Sequence, residues 1–66
     1  MVNEQLRSAI AEKFPSESAF GRAMGWPRQT VFKTIHGLRS PKLSEVNAMS
    51  VVLDRSVGEI ISFFGQ

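Results

Sequence analysis

Residues 17–36, which read ESAFGRAMGWPRQTVFKTIH, decide the fold of this chain. Apolar residues recur there at a spacing of four, first before and then after a glycine: Phe20, Met24, Val31 and Ile35. Residues four apart lie on one face of a helix, and Gly25 stands where a helix would end in a left-handed conformation. Pro27 suits a first helical position, because the N–H that proline lacks has no partner there. The stretch predicts two short helices, 17–24 and 27–36, joined by a tight turn.

Signals of the same kind predict three further helices, at residues 3–14, 43–53 and 57–64. Asn3 is a favourable N-cap for the first, and Ser56 with Glu59 forms an S-x-x-E capping box for the last. Apolar residues repeat at helical intervals in all three segments. The predicted core comprises Leu6, Ile10, Phe20, Met24, Val31, Ile35, Val46, Met49, Leu53, Ile60 and Ile61. We therefore expect an all-α fold in which residues 1–66 form a single domain.

The composition argues against several classes of protein. The chain has 66 residues, no cysteine and one histidine, so neither a disulfide nor a cysteine-based zinc site is expected. No nucleophile with a base and no paired carboxylates are evident, so we expect no catalytic residue, no metal and no cofactor. The first residues lack a long apolar run, so we expect neither a signal peptide nor a membrane span. These features favour a soluble cytoplasmic binding protein over an enzyme.

Charge is distributed unevenly along the chain. Five of the eight basic residues lie between positions 19 and 43, where no acidic residue occurs: Arg22, Arg28, Lys33, Arg39 and Lys42. All six carboxylates lie outside this segment. Such a separation creates an oriented field that suits a polyanion such as duplex DNA. Taken alone, the charge pattern is equally compatible with a solvated helical surface.

The two helices around Gly25 have the signature of a helix-turn-helix unit. Glycine suits the left-handed turn position, and the apolar residues on both sides hold the two helices at a steep angle. The outer face of the second helix is then free to enter the major groove of DNA, which is wide enough to admit an α-helix. The sequence therefore predicts duplex DNA as the partner.

The stretch 25–36 resembles the turn and recognition helix of the phage Cro proteins. The matching residues are Gly25, Val31, Lys33, Ile35 and His36. The segments after residue 40 are similar in spacing to the fourth and fifth helices of the wider Cro and lambda-repressor-like class, often called the XRE family. The resemblance runs from about Leu6 to Phe64 and implies a compact five-helix lambda-repressor-like domain. It also implies a transcriptional repressor of phage or prophage type, acting in the cytoplasm or nucleoid of a bacterial host.

Three positions depart from the family pattern. Gly21 replaces the usual alanine, which keeps a tight helix crossing but weakens the helix by about 1 kcal/mol. Glu17 replaces a glutamine that binds phosphate in many members, so that contact does not carry over. Trp26 replaces a small aliphatic turn residue, and we expect its large side chain to fill part of the core.

The outer face of helix 27–36 carries the candidate base-reading residues, by their chemistry and by their match to family positions. Arg28 and Lys33 can bind guanine O6 and N7, and Gln29 can pair with adenine N6 and N7. Phe32 is unusual on such a face. It can meet a thymine methyl, contact a protein partner or fold back on a neighbour such as Trp26; we weigh the thymine contact slightly ahead.

Other residues are expected to contact DNA phosphates or a second subunit. The candidate backbone contacts are Ser16, Arg22, Thr30, His36, Arg39 and Lys42. The apolar C-terminal region favours a homodimer, with candidate contacts at Val51, Phe63 and Phe64. A homodimer would read half-sites about 34 Å apart in a double-stranded DNA operator. The alternative is a protein-interaction module of the same fold, which binds and modulates a repressor through Phe32.

Overall fold

Five helices account for the regular structure of residues 1–65. The computed structural model describes residues 1–65, with the helices α1 (Glu4–Lys13), α2 (Glu17–Met24), α3 (Arg28–Ile35), α4 (Leu43–Leu53) and α5 (Val57–Phe64). Each helix lies within one residue of its predicted bounds, and the described residues contain no strand. The all-α prediction is confirmed. None of these five helices is both long enough and apolar enough to span a membrane.

Side-chain caps begin three of the helices. Asn3, Ser16 and Ser56 each accept a hydrogen bond from the backbone N–H three residues later, at 3.0, 3.1 and 3.1 Å. Such caps satisfy backbone donors that the first turn of a helix leaves free. The capping box predicted for α5 is only half formed, because the Glu59 carboxylate accepts a hydrogen bond from Arg55 Nη1 at 2.6 Å.

Three helices end in a left-handed residue, with φ of 73° at Gly25, 74° at Gly37 and 55° at Asp54. In each case the residue after the left-handed one donates its backbone N–H to the carbonyl five positions before itself, at 2.8, 2.8 and 3.0 Å. This is the Schellman arrangement, which satisfies carbonyls that the last turn leaves free. Its repetition reverses the chain sharply after α2, α3 and α4.

Asn3 links the start of α1 to the ends of two other helices. Its backbone N–H donates to the Ile35 carbonyl at 2.7 Å, and its Nδ2 donates to the Phe63 carbonyl at 2.9 Å. Helix α1 itself contacts each of the other four helices. The first helix is therefore the element around which the others pack.

The buried core agrees with the predicted set at nine of eleven positions. The fully buried apolar residues are Leu6, Ala9, Ile10, Phe20, Val31, Ile35, Val46, Met49, Leu53 and Ile60. The prediction was wrong for Ile61, which is 49% exposed on the outer side of α5, and Met24 is only partly buried against the core. Helical spacing identifies which side of a helix faces the core, but not how wide the buried side is. The burial of residues at the border of that side is therefore not predicted by spacing alone.

Candidate functional site

The crossing of α2 and α3 depends on a close approach at Gly21. A Cβ atom added there would lie 2.8 Å from Val31 Cγ2 and 3.3 Å from the Trp26 carbonyl oxygen. Two helices separated by so little space are held in one relative orientation. Pro27 is the N-cap of α3 rather than its first residue, with φ −68° and ψ 162°. The start of α3 is thereby fixed by the turn and by the packing of Gly21.

One side of α3 is buried and the opposite side is open to solvent. Val31, Thr34 and Ile35 are buried, which confirms the inward orientation predicted for the two aliphatic residues. Thr34 was not predicted; its hydroxyl donates to the Thr30 carbonyl at 2.8 Å, which satisfies the buried polar group. The exposed residues of the helix are the four predicted to read bases: Arg28, Gln29, Phe32 and Lys33.

Phe32 remains accessible on that open side. Phe32 as a residue is 53% exposed. Its ring stacks on the His36 imidazole, with the ring centroids 4.1 Å apart and the ring planes inclined by 23°. It does not fold back on Trp26, whose ring instead packs edge-to-face on Phe20 at 5.9 Å. Trp26 therefore belongs to the edge of the core, as expected, and Phe32 is left free for an external contact.

Basic side chains fall into two groups according to their partners. Arg7, Lys13, Arg39 and Arg55 each form an ion pair with at least one carboxylate. Within residues 1–65, no ion pair involves the other four: Arg22, Arg28, Lys33 and Lys42. Arg22 lies in α2, Arg28 and Lys33 lie on α3, and Lys42 precedes α4, so these unpaired cations are carried by α3 and the segments next to it. We call these four residues the free cations.

Arg39, predicted to contact phosphate, is held within the protein instead. Its Nη1 donates to Thr34 Oγ1 at 2.9 Å, its Nη2 donates to Glu45 Oε1 at 2.7 Å, and its guanidinium carbon lies 5.4 Å from the Trp26 ring centroid. These contacts fix the loop after α3 against α3 and α4. No local sequence signal marks them, because the partners lie 5, 6 and 13 positions away.

Glu45 completes this network. Besides Arg39, its Oε1 accepts the backbone N–H of Lys42 at 2.8 Å. The Lys42 N–H and the Arg39 guanidinium hold the pKa of the Glu45 carboxyl below its ordinary value, although partial burial acts in the opposite direction. The carboxylate therefore stays ionised at neutral pH and forms its ion pair with Arg39, while the charge of Lys42 also favours the ionised form.

The remaining predicted phosphate contacts lie around the start and end of α3. Ser16, Arg22 and Arg28 line a cavity of about 490 Å³ between the first turn of α2 and α3. Ser16 Oγ is already used as the α2 cap. Glu17 also lines this cavity, and its carboxylate pairs with Arg7 at 3.5 Å.

Thr30, on α3, and His36, the C-cap of α3, are also predicted phosphate contacts, and both are half-buried. Lys42, the N-cap of α4, is exposed. The Phe32 ring stacks on His36, and the Met1 ammonium donates to the His36 carbonyl at 3.3 Å. Thr30 keeps its carbonyl bonded to Thr34.

The three predicted dimer contacts are not equivalent. Val51 is 81% exposed on α4, whereas Phe63 and Phe64 are half-buried and pack against the core. Part of the Phe63 and Phe64 surface is therefore used within the domain, whereas Val51 is open to solvent. Val57 and Ile61, four residues apart on α5, are the exposed apolar residues of that helix.

Within residues 1–65, no three histidine or acidic side chains lie close enough together to hold a metal ion. Comparison of the chain with protein families, with curated proteins and with solved structures finds no match.

Proposed function

We propose that this chain is a sequence-specific duplex-DNA-binding protein of the Cro and lambda-repressor-like type. In this proposal α2, the Gly25 turn and α3 form a helix-turn-helix unit, and α3 enters the major groove. Arg28, Gln29 and Lys33 read base edges from the exposed side of α3. Their rigid attachment supports this role, because Val31, Thr34 and Ile35 anchor the opposite side of the same helix.

The observation that carries the proposal is the position of the free cations. An isolated protein gains little from leaving four basic side chains without acidic partners around one helix while pairing the others. Duplex DNA would supply the missing negative charge, with one phosphate charge per about 1.7 Å of helix axis. Arg22 and Lys42, on either side of α3 in the sequence, are then the principal phosphate contacts.

The proposed biological role is transcriptional repression in a phage or prophage, in the cytoplasm or nucleoid of a bacterial host. It rests on the resemblance of residues 25–36 to Cro recognition helices. A bound homodimer would block polymerase at a palindromic operator with half-sites about 34 Å apart. Val51 is the best exposed of the candidate subunit contacts.

Selection of bound sites from random duplex DNA at near-physiological salt tests this proposal. We expect enrichment of a short palindrome, and an affinity for it that falls steeply as salt rises because counterions are released. Sedimentation of the protein with the selected duplex would give the stoichiometry. Failure to enrich any sequence would overturn sequence-specific binding.

Substitution of the base-reading residues tests their assignment. Arg28→Ala and Lys33→Ala should each weaken binding to the selected duplex by about 1–3 kcal/mol. Lys13→Ala is the matched control, since it also removes one positive charge, but from a side chain paired with Asp54 at 3.4 Å. Equal losses in all three variants would show a general charge effect and contradict the assignment of α3.

The exposed ring of Phe32 supports one alternative, a protein-interaction module that binds a repressor or another protein. The two functions differ in their response to salt. Binding centred on an apolar contact changes little with salt, whereas phosphate contacts weaken strongly. Salt-insensitive binding to a protein, combined with no enrichment of DNA, would favour the alternative.

A further inference from the structure

A surface depression of about 280 Å³ lies on the open side of α3. It is lined by Arg28, Gln29, Phe32 and Lys33 and, beyond the end of the helix, by Leu38. Polar atoms contribute almost nothing to its exposed wall. The wall therefore consists of the aromatic ring, the leucine methyls and the aliphatic stems of the longer side chains, whose polar heads extend past it.

The two apolar residues of this depression are exposed, and each makes one contact within the protein. Leu38, which is 64% exposed, follows the left-handed Gly37, and its N–H donates to the Lys33 carbonyl at 2.8 Å. Phe32 is supported on one side by its stacking on His36. Two exposed apolar side chains with charged neighbours offer a contact to an apolar group of a ligand.

The chemistry around the depression identifies its occupant. Arg28 and Lys33, both free cations, lie on its border and suit the O6 and N7 acceptors of guanine. An apolar floor suits the C5-methyl group, which in the major groove distinguishes thymine from cytosine. The free cations also make the depression attractive to a polyanion and unattractive to a cationic partner.

We infer that Phe32 and Leu38 form a receptor for the C5-methyl group of a pyrimidine, so that this surface selects thymine beside a guanine. The inference rests on the proposed function and names the part of the operator that each residue reads. Leu38 is a specificity-determining residue outside the α3 helix, and its apolar side chain adds a contact that Phe32 alone does not provide.

The test replaces thymine by deoxyuridine, one position at a time, in the duplex obtained by selection. This change removes one methyl group and leaves every hydrogen-bonding group of the base unchanged. Burial of one methyl corresponds to about a fourfold change in affinity. We expect a loss of about fourfold at one thymine in each half-site and no loss at thymines outside the contact, measured by fluorescence anisotropy.

Two variants connect that effect to the depression. Phe32→Ala and Leu38→Ala should each reduce the ratio of thymine to deoxyuridine affinity towards one, while the preference for the neighbouring guanine remains. Leu43→Ala is the matched control, because this leucine is exposed on α4 and does not line the depression. In a cytosine-substituted duplex, 5-methylcytosine should recover affinity relative to cytosine in the wild-type protein and in Leu43→Ala, but not in Phe32→Ala or Leu38→Ala.

The outcomes separate the inference from the proposed function. A selected palindrome that is indifferent to deoxyuridine at every thymine, or that has no thymine in its half-sites, overturns the methyl receptor but leaves sequence-specific binding intact. A methyl effect that survives in both alanine variants also overturns it. If no sequence is selected, the proposed function fails and the inference fails with it.

Discussion

The side of the molecule formed by α3 and its flanking segments differs from the side formed by α1, α4 and α5 in how charge is compensated. On the second side Arg7, Lys13 and Arg55 all have carboxylate partners. On the first side, in the part of the chain that the structure describes, Arg39 alone has one, and it holds the loop after α3. The difference teaches that a modest net charge of +2 is compatible with one surface on which basic side chains lack acidic partners within residues 1–65.

The packing of the two sides also differs. The α2–α3 crossing leaves no room for a Cβ at Gly21, whereas at Gly58 of α5 a Cβ would have nothing nearer than 4.0 Å. A helix whose side chains contact a rigid ligand benefits from a fixed orientation, because movement of the helix would displace those side chains from their contact distances. Four pairs of variants follow from these two contrasts, beginning with the most disruptive.

The first pair compares adjacent residues on opposite sides of α3. Val31→Asp should abolish folding, because it places an unpaired charge at a site only 4% exposed and the cost approaches the whole stability of a small domain. Phe32→Asp should retain the helical circular dichroism and thermal transition but lose DNA binding in the proposed complex, since it adds a negative charge to the surface that would face the DNA polyanion. A normal melting curve for Val31→Asp would mean that the two faces of α3 are assigned in reverse.

The second pair compares glycines in the two regions. Gly21→Ala should lower the free energy of unfolding by about 1 kcal/mol, because a clash with the stiff Val31 side chain outweighs the gain in helix propensity. Gly58→Ala should raise it by about 0.5 kcal/mol, since alanine fits without contact and reduces the freedom of the unfolded chain. Urea denaturation measures both, and a stabilising Gly21→Ala would contradict the tight crossing.

The third pair concerns pH. Because the pKa of Glu45 is lowered on folding, its contribution to stability is present at neutral pH and is lost as pH falls through the folded-state pKa. Glu45→Gln should therefore lower Tm at pH 7 and approach the wild-type Tm at acidic pH. The matched control is Glu4→Gln, at an exposed carboxylate for which the described residues provide no ion pair. Parallel curves for Glu45→Gln and wild type would contradict the Arg39 network.

The smallest effect is expected at Glu17, the carboxylate that lines the cavity beside Arg22 and Arg28. Glu17→Gln should strengthen DNA binding by about threefold at low salt, because it removes a negative charge near phosphate and releases Arg7. Glu12→Gln, on the paired side, should leave the affinity unchanged. The gain should shrink at high salt, and a weaker complex would show that Glu17 helps to position the DNA contacts.

Local features made most of the fold predictable from sequence. Helix ends are set by local interactions that act over one helical turn: the caps at Asn3, Ser16 and Ser56 and the glycines after α2 and α3. A short stretch of residues is therefore enough to predict where each helix begins or ends. The four candidate base-reading residues share an exposed side for the same reason: helical periodicity separates them from Val31 and Ile35.

Contacts between residues far apart in the chain could not be predicted from the sequence. Arg39 looked like one more exposed cation, and only the fold brings it to Thr34, Glu45 and Trp26 together. The burial of Phe63 depends in the same way on the packing of α5 against the rest of the core. Periodicity also gave no sign that Leu38 would join Phe32, because Leu38 lies beyond the helix that carries the pattern.

The bonds made by Asn3 bear on how the domain opens. This residue ties the first turn of α1 to the end of α3 and to a carbonyl 60 positions away in α5. Fraying of the amino terminus would therefore break bonds to both of those helices as well as the cap of α1, so it costs more than the loss of one helical turn. In native-state hydrogen exchange, the Asn3 amide should be protected, which is unusual for a third residue.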